Sequence, residues 1–234
     1  MSSPPTILPK AIVFSTFTYR VFTIVLLTIC VAPSSSAVDV HIIAQAVDNH
    51  YNHMRTLQAE FSETYRGTGT ERTETGTLWL KKPGKMRWEY RSPESKLFLS
   101  DGQTAWFYLP RERQVRRTPV KQLDDLRSPL GLLLGKTRLE KELQPLSLAP
   151  DISPLVPGDV VLRGIPKALA ERVNEVILEV TADDRIARII VNGVDGSETE
   201  YRFSGQEENI EVSDQRFRFI PPPGVEVMGG EVGQ

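Results

Sequence analysis

The feature of this sequence that most constrains its fold is a succession of short segments in which apolar and polar side chains alternate. The first covers residues 57–65, where Leu57, Ala59 and Phe61 alternate with Gln58 and Glu60. Such a period of two is typical of a β-strand with one buried face. Further strands are predicted at residues 76–82, 85–91, 96–100, 104–108, 112–118, 159–163, 175–181, 186–192 and 198–204, with a last edge strand at 217–220.

Tight turns separate these segments. Pro83-Gly84, Asp101-Gly102 and Asn192-Gly193 are dipeptides that favour a reversal of the chain. A stretch rich in Gly and Thr, residues 67–75, is predicted to form the turn after the first strand. Short strands joined by tight turns predict an antiparallel sheet that curls. Because we find no internal repeat and no interdomain linker, we expect a single domain that is mainly β with some α-helix.

Two stretches depart from this alternation and predict helices. In residues 39–55, Asp39 is a candidate N-cap and apolar residues recur at a spacing of three or four. Residues 120–143 are rich in leucine and predict one or two short helices, divided near Ser128-Pro129. We expect these helices to cover the concave side of the sheet.

The first 37 residues differ from the rest of the chain. They contain no Asp or Glu, and only Lys10 and Arg20 carry a side-chain charge. An apolar run over residues 21–32 comes next, followed by small residues at Ser35 and Ala37. This order is typical of a secretory signal peptide, and the run is shorter than the roughly 20 residues that span a bilayer. We expect a signal peptide at residues 1–37, cleaved after Ala37, and a domain at residues 38–234. An uncleaved anchor is the alternative.

The single cysteine, Cys30, lies inside the apolar run of the expected signal peptide. Residues 38–234 therefore contain no disulfide, and their stability must come from packing. Cys30 would be a candidate for lipid attachment, but Ile29 precedes it where a small residue is needed. Lipidation is therefore disfavoured.

The common signatures of catalysis are missing from the sequence. It contains no Gly-rich phosphate loop, G-x-S-x-G, H-E-x-x-H or C-x-x-C motif. His41, His50 and His53 all fall on the first predicted helix, where solvent-facing histidines are a better interpretation than a metal site without a third ligand. The net charge is −2 and no basic segment indicates nucleic acid. We expect no enzyme activity, no metal, no cofactor and no nucleic-acid partner.

Residues 76–110 are unusually rich in aromatic side chains for a small sheet. These are Trp79, Trp88, Tyr90, Phe98, Trp106, Phe107 and Tyr108. Together with the aliphatic residues between them, they either fill the core of a barrel or line an apolar hollow. The residues alone leave both interpretations open.

The strand period also predicts which side chains share a face. Leu78, Leu80 and Lys82 are expected on one face of their strand, and Trp79 and Lys81 on the other. On the following strand, the residues expected to share a face are Met86, Trp88 and Tyr90.

Six segments together match the pattern of a known family. They are MRTLQAEF (54–61), GTLWLKKP (76–83), RWEY (87–90), LSDGQTAWFY (99–108), SPLGLLL (128–134) and FRFIPPPGV (217–225). Their order along the chain is that of the family, and they are spread over almost the whole of residues 38–234. In these segments the sequence resembles LolA, the periplasmic carrier of outer-membrane lipoproteins.

The resemblance implies an unclosed, curled antiparallel β-barrel, or half-barrel, with a helical lid. Such a barrel would hold the acyl chains of lipoproteins in the periplasm. Its implied partners are acylated lipoproteins as cargo, an inner-membrane lipoprotein-releasing ABC exporter and an outer-membrane lipoprotein receptor. We expect a monomer.

The resemblance also implies residue roles. The family's charged latch residue falls on Lys82, where the family typically has Arg. Because Lys is a compact point charge and not a planar fork of donors, a weaker latch is expected, and neighbouring Lys81 leaves the assignment open. The family's cargo contact falls on Met86, and the aromatic residue two positions later is Trp88. The full set expected to bind acyl chains or form the lid is Leu78, Leu80, Lys82, Met86, Trp88, Tyr90, Leu130, Leu132, Leu133 and Leu134.

Other functions fit the same sequence. The first is the lipid-anchored outer-membrane receptor of the same fold, against which the surroundings of Cys30 argue. The second is a carrier of free lipids, or a sensor of mislocalised lipoproteins. A periplasmic hydrolase is disfavoured by the missing nucleophile motifs, and a purely structural envelope protein would have a filled barrel.

Overall fold

The computed structural model describes residues 39–120 and 138–229. The chain divides after Ala37 into two units, and all of the described residues belong to the second. The helices of this part of the chain are α1 (Val40–His53), α2 (Leu139–Glu142) and two short 3-10 helices, Lys167–Leu169 and Asp214–Phe217. Its strands are β1 (Thr56–Gly67), β2 (Thr70–Lys81), β3 (Lys85–Ser92), β4 (Lys96–Asp101), β5 (Thr104–Leu109), β6 (Gln114–Pro119), β7 (Ser147–Leu148), β8 (Val160–Gly164), β9 (Val173–Val180), β10 (Ile186–Gly193), β11 (Glu198–Glu208) and β12 (Glu226–Met228).

The twelve strands of the described residues form one sheet, in the order β12-β6-β5-β4-β3-β2-β1-β11-β10-β9-β8-β7. Neighbouring strands are antiparallel, except that β12 runs parallel to β6. Because β12 and β7 stand at the two ends of this order, the sheet curls without closing. The prediction of a mainly β, unclosed and curled antiparallel sheet is confirmed.

The β1–β2 hairpin is longer than predicted. Its turn consists only of Thr68 and Gly69, which both have positive φ angles of 49° and 77°. Two successive residues with positive φ suit a two-residue hairpin turn, and Gly67 then pairs directly with Thr70. The expectation of a turn over residues 67–75 was therefore wrong. The threonines of that stretch are β-branched and extend the strand.

The C-terminal part of the sheet also differs from the prediction. Residues 217–220 are not an edge strand, because Phe217 ends a 3-10 helix that Ser213 caps through a hydrogen bond from Gln215 N. Phe217 is buried, which holds this segment against β3 and β4. The edge strand β12 forms only after the three prolines at 221–223. The apolar pattern of residues 217–220 thus reflects packing onto the sheet and not pairing at its edge.

The first helix is confirmed close to its expected bounds. The Asp39 side chain accepts a hydrogen bond from His41 N at 2.9 Å, as an N-cap should. The face of α1 that carries Ala44, Val47 and Tyr51 is buried. The Tyr51 hydroxyl also accepts a hydrogen bond from Ile186 N at 2.9 Å, which fastens the helix to β10.

We call the side of the sheet that carries α1 and α2 the inner face. Its main apolar cluster joins the two helices to alternate residues of β1, β2, β3 and β8–β11. A second, smaller cluster on the outer face contains Ala149, Val161, Ile177 and Ile190. Of the leucine-rich stretch that was predicted to be helical, Leu139–Glu142 is confirmed as α2. Residues 121–137 lie outside the described residues.

Candidate functional site

The inner wall of the sheet is built by the register of β1, β2 and β3. Leu80 pairs with both Leu57 and Met86, and Leu78 pairs with Trp88 in the next row. All five of these side chains are buried within the main apolar cluster. The period of two predicted that Leu78 and Leu80 share one face of their strand and that Met86 and Trp88 share one face of theirs, and this is confirmed.

An aromatic group surrounds Trp88 on this wall. The ring of Phe61 lies 4.7 Å from the Trp88 ring, with Tyr201 at 6.0 Å and Phe203 at 6.2 Å, all in edge-to-face geometry. Tyr90 packs edge-to-face on Phe61 at 4.9 Å. Edge-to-face pairs add to the stability of an apolar cluster beyond the burial of their area.

The inner face becomes polar beyond Tyr90. The Tyr90 hydroxyl donates a hydrogen bond to Glu63 at 2.7 Å, and burial, followed by the nearby Glu63 carboxylate, raises the pKa of Tyr90. Lys96 Nζ lies 2.5 Å from Glu74 and 4.1 Å above the Tyr90 ring. Because Glu63 and Glu74 are directly opposed on β1 and β2, the ammonium group offsets their repulsion. The inner face is thus apolar around Met86 and Trp88 and charged beyond Tyr90.

Lys82 ties the end of β2 to the last turn of α1. Its ammonium donates a hydrogen bond to the carbonyl of Tyr51, and its backbone N–H donates to Arg55 O at 2.9 Å. The last four carbonyls of a helix have no partner within the helix, and a cation near them is favourable. Lys82 therefore stabilises α1 where it lies over the inner wall.

Lys81 points to the opposite face. Its ammonium donates a hydrogen bond to Val212 O at 2.7 Å and pairs with Asp214 at 2.7 Å. Lys85 pairs with the other oxygen of Asp214 at 3.1 Å, and hydrogen bonds from the two lysines lower the pKa of Asp214. Of the two adjacent lysines, Lys82 is thus the one in contact with a helix on the inner face.

The lid leucines of the sequence prediction, Leu130, Leu132, Leu133 and Leu134, lie outside the described residues. After them comes α2, which contacts α1 at two points. The Asp48 carboxylate accepts hydrogen bonds from Leu139 N at 3.0 and 3.2 Å. His41 Nδ1 is hydrogen bonded to Glu140, and this bond raises the pKa of His41. A surface cleft of about 770 Å³ lies beside these contacts, between the start of α1 and residues 140–146.

The other two histidines take part in ordinary side-chain contacts. His50 Nε2 lies 2.9 Å from Glu208, and His53 Nδ1 lies 2.8 Å from Asn49 O one turn earlier. Within residues 39–120 and 138–229, no group of three potential metal ligands occurs. Over the same residues, no helix is both long and apolar enough to cross a membrane.

The family model described as "Outer membrane lipoprotein carrier protein LolA" matches residues 52–220 of this chain, which is most of its length. The chain belongs to the LolA family. A relative from Dechloromonas aromatica, named outer-membrane lipoprotein carrier protein, is 32% identical over 191 residues, which cover 80% of this chain and 88% of the relative. A relative of the same name from Nitrosospira multiformis is 28% identical over 179 residues, covering 74% and 82%.

One solved structure supports the fold of this LolA-family chain. It is an uncharacterized conserved protein from Thermus thermophilus, with a TM-score of 0.51 and 15% sequence identity. The likeness covers 80% of this chain and 96% of that protein. It concerns the fold alone.

Sequence reasoning missed several parts of the site of this LolA-family protein. It placed Met86 and Trp88 together, but it did not connect them to Phe61, Tyr201 and Phe203, which come from β1 and β11. Alternation marked Phe61 as inward-facing, but no local signal indicates that β11 pairs with β1. The resemblance implied that Lys82 would tie the leucine-rich lid, and because residues 121–137 lie outside the described residues, that contact stays a prediction. Sequence reasoning did not connect Lys82 to α1, although the apolar stripe of α1 was a signal that this helix covers the wall.

Proposed function

We propose that this protein is a periplasmic chaperone that carries lipoproteins from the inner to the outer membrane. It holds the acyl chains of its cargo against the inner wall formed by Leu78, Leu80, Met86 and Trp88. The observation that carries this proposal is that α1 covers this apolar wall and is fastened by the contact between Lys82 and Tyr51 O. Membership of a family described as lipoprotein carriers supports it.

A carrier must both hold and release its cargo. Each buried CH₂ group contributes about 0.8 kcal/mol, so a single acyl chain brings on the order of 10 kcal/mol of gross transfer free energy. Release is feasible only if the empty state buries the same wall in another way. The apolar face of α1 does this, because Ala44, Val47 and Tyr51 belong to the same cluster as the wall. Acyl chains and the helix then compete for one surface.

The polar contacts of α1 set how readily it gives way to cargo. Lys82 holds its C-terminal end through Tyr51 O, while Asp48 and His41 hold α2 against it. The buried hydrogen bond from Ile186 N to the Tyr51 hydroxyl and the contact of His50 with Glu208 also hold α1 on the sheet. Entry of cargo would break them and leave the sheet itself intact.

The route of the cargo follows from the same proposal. The signal peptide at residues 1–37 directs export, and cleavage after Ala37 releases the domain into the periplasm. An inner-membrane ABC exporter loads the carrier, and an outer-membrane lipoprotein receptor takes the cargo from it. The protein acts as a monomer without a cofactor and catalyses no reaction.

Identification of the bound molecules tests the proposal. The full-length gene is expressed, the protein is purified from the periplasm without detergent, and its ligands are analysed by mass spectrometry. We expect peptides or proteins with an acylated N-terminal cysteine. Free phospholipids alone would instead indicate a carrier of free lipids, and the absence of any lipid after repeated preparations would contradict a carrier function.

The N-terminus of the same preparation separates the carrier from the receptor. Intact mass and N-terminal sequencing should show a chain that begins at Val38 and has no cysteine. A chain that begins at Cys30 and carries lipid would identify an anchored receptor and overturn the carrier proposal.

A further inference from the structure

The indole N–H of Trp88 is a buried donor without an acceptor among the described residues. Trp88 is only 2% exposed, and its Nε1 has no hydrogen-bond partner in the part of the chain that the structure describes. Leaving a buried donor unsatisfied is unfavourable, so such a group calls for a specific explanation. Phenylalanine would fill an apolar position without this cost.

The surroundings of Trp88 explain why the described wall offers it no acceptor. Its cross-strand neighbours are Leu78 on β2 and Phe98 on β4, and its ring neighbours are aromatic. The backbone carbonyls of a sheet interior are used in the strand ladder. Trp79 provides the contrast, because its indole on the outer face donates to Gln58 at 2.8 Å. The outer face of this sheet therefore does supply a tryptophan with an acceptor, and the described part of the inner face does not.

Trp88 lies at a boundary in polarity along β3. Met86 precedes it beside Leu80 and Leu57, whereas Tyr90 follows it and is hydrogen bonded to Glu63 beside Lys96. Alternate residues of a strand are about 6.6 Å apart, so this change from apolar to charged takes place within about 13 Å. A glyceryl lipid has the same order of groups: hydrocarbon, then ester carbonyls, then a polar head. An acyl chain laid along Met86 would bring its ester near Trp88.

We infer that the Trp88 indole N–H donates a hydrogen bond to an ester carbonyl of the bound cargo, which makes this wall selective for ester-linked acyl chains. The acyl tails then point toward Met86 and the Lys82 end of the wall. The peptide part of the cargo leaves beside Tyr90, Glu63 and Lys96. This inference rests on the proposed carrier function and specifies the chemical class of lipid and its orientation.

The competing explanation is that the N–H points at the face of a neighbouring ring. Phe61 lies edge-to-face with Trp88 at 4.7 Å, which is compatible with a weak N–H to π contact. In that case the indole has no role in recognising esters. The two explanations differ in how binding responds to replacement of the ester by an ether, because an ether lacks the carbonyl acceptor.

The experiment compares two synthetic probes on the purified residues 38–234. Both are cysteine peptides with a glyceryl thioether and two C16 chains, linked through esters in one and through ethers in the other. The wild-type protein should bind the ester probe roughly threefold to tenfold more tightly, the factor that one net hydrogen bond contributes. Trp88→Phe should bring the two affinities together and change the ether affinity little. Trp79→Phe, the matched control on the outer face, should keep the wild-type preference.

A second measurement reads its result from the wild-type protein, so it does not depend on the stability of a variant. The protein has three tryptophans, whose indole N–H signals are recorded in ¹H–¹⁵N spectra of the wild type, and that of Trp88, assigned with the Trp88→Phe and Trp79→Phe variants, should move downfield with the ester probe but not with the ether probe. Equal affinity for both probes in the wild type, or a preference that survives Trp88→Phe, would refute the inference and leave the carrier function standing. If neither probe binds, the carrier function itself fails, and the inference falls with it.

Discussion

The ammonium of Lys82 donates a hydrogen bond to the backbone carbonyl of Tyr51 and so joins the end of β2 to the last turn of α1. The preceding residue, Lys81, pairs with Asp214 on the other face of the sheet. The two adjacent lysines thus make contacts on opposite faces of the sheet, and Lys82 is the one that contacts the helix covering the apolar wall. This separation makes the latch testable.

Lys82→Leu should make the protein bind acyl probes more tightly and deliver them to the receptor less well. The substitution removes a contact of the closed, empty state and adds apolar surface, and apparent affinity falls with the fraction of protein that is closed. A hydrogen bond from a charged group contributes roughly 1.5–3 kcal/mol, so tightening by about tenfold or more is expected. Probe titration and a receptor transfer assay measure the two effects.

Two further variants control for this result. Lys81→Leu should leave transfer intact, because its partners Val212 and Asp214 lie on the outer face. Lys82→Arg should be neutral or strengthen the latch, since a guanidinium can meet more than one carbonyl. If Lys81→Leu blocks transfer and Lys82→Leu does not, the assignment of the latch is wrong.

Gly76→Ala should destabilise the protein by about 2 kcal/mol or more, as over-packing does. A Cβ atom at this position would lie 2.1 Å from Glu89 O and 2.8 Å from the Phe61 ring. Urea denaturation measures the loss. Gly205→Ala is the control, because it has a φ of +57° but no heavy atom within 4 Å, so only about 1 kcal/mol of backbone strain is expected. Equal effects of the two changes would contradict the close approach of Glu89 O and the Phe61 ring to Gly76.

The tie between α1 and α2 should weaken as the pH rises through neutrality. The hydrogen bond to Glu140, its charge and then that of Asp39 raise the pKa of His41 in the folded protein. A raised folded-state pKa means that the stabilisation is fully present below the unfolded value of about 6.5 and is lost as the pH passes the folded value. Hydrogen exchange at Leu139 and Glu140, followed from about pH 5.5 to about 8.5, should show increasing opening of α2 beyond the intrinsic pH effect.

Glu140→Gln removes the partner and should abolish this excess opening. His53→Gln is the control, because the His53 ring contacts Asn49 O within its own helix. An excess opening that persists in Glu140→Gln would show that another group is responsible.

Glu179→Gln should reduce stability by about 3–5 kcal/mol while acyl binding is retained, because it removes the nearer carboxylate partner of the buried Arg188, whose other carboxylate partner, Glu200, lies 3.7 Å away. Glu179 is completely buried on the outer face, 2.6 Å from Arg188, and it also accepts a hydrogen bond from Leu155 N at 2.6 Å. Thermal unfolding and probe titration are measured together. The exposed pair of Arg111 and Glu94 is the control, and Glu94→Gln should cost less than about 1 kcal/mol. A loss of acyl binding in folded Glu179→Gln would link the outer face to the cargo site.

Local pattern alone determined much of this protein. Alternation over residues 57–65 and 76–91 identified β1–β3 and placed Leu78, Leu80 and Lys82 on the face opposite Trp79 and Lys81, because the pleat of a strand alternates side chains. The spacing of apolar residues after Asp39 identified α1 and its buried stripe. The strand faces and the helix stripe depend only on residues close together in the sequence, and both predictions are confirmed.

Only the tertiary structure decided which segments meet. The pairing of β11 with β1 brings Tyr201 and Phe203 to Trp88 across more than a hundred residues, and the Lys82 ammonium finds its acceptor on α1. Residues 217–220 have the apolar pattern of a strand, yet Phe217 is buried at the end of a 3-10 helix on β3 and β4. Local sequence determines which side chains of an element share a face. Which other element packs against that face depends on burying all the apolar faces of the chain together. That choice is made by the whole chain, and it surrounds the Trp88 ring with aromatic rings from β1 and β11.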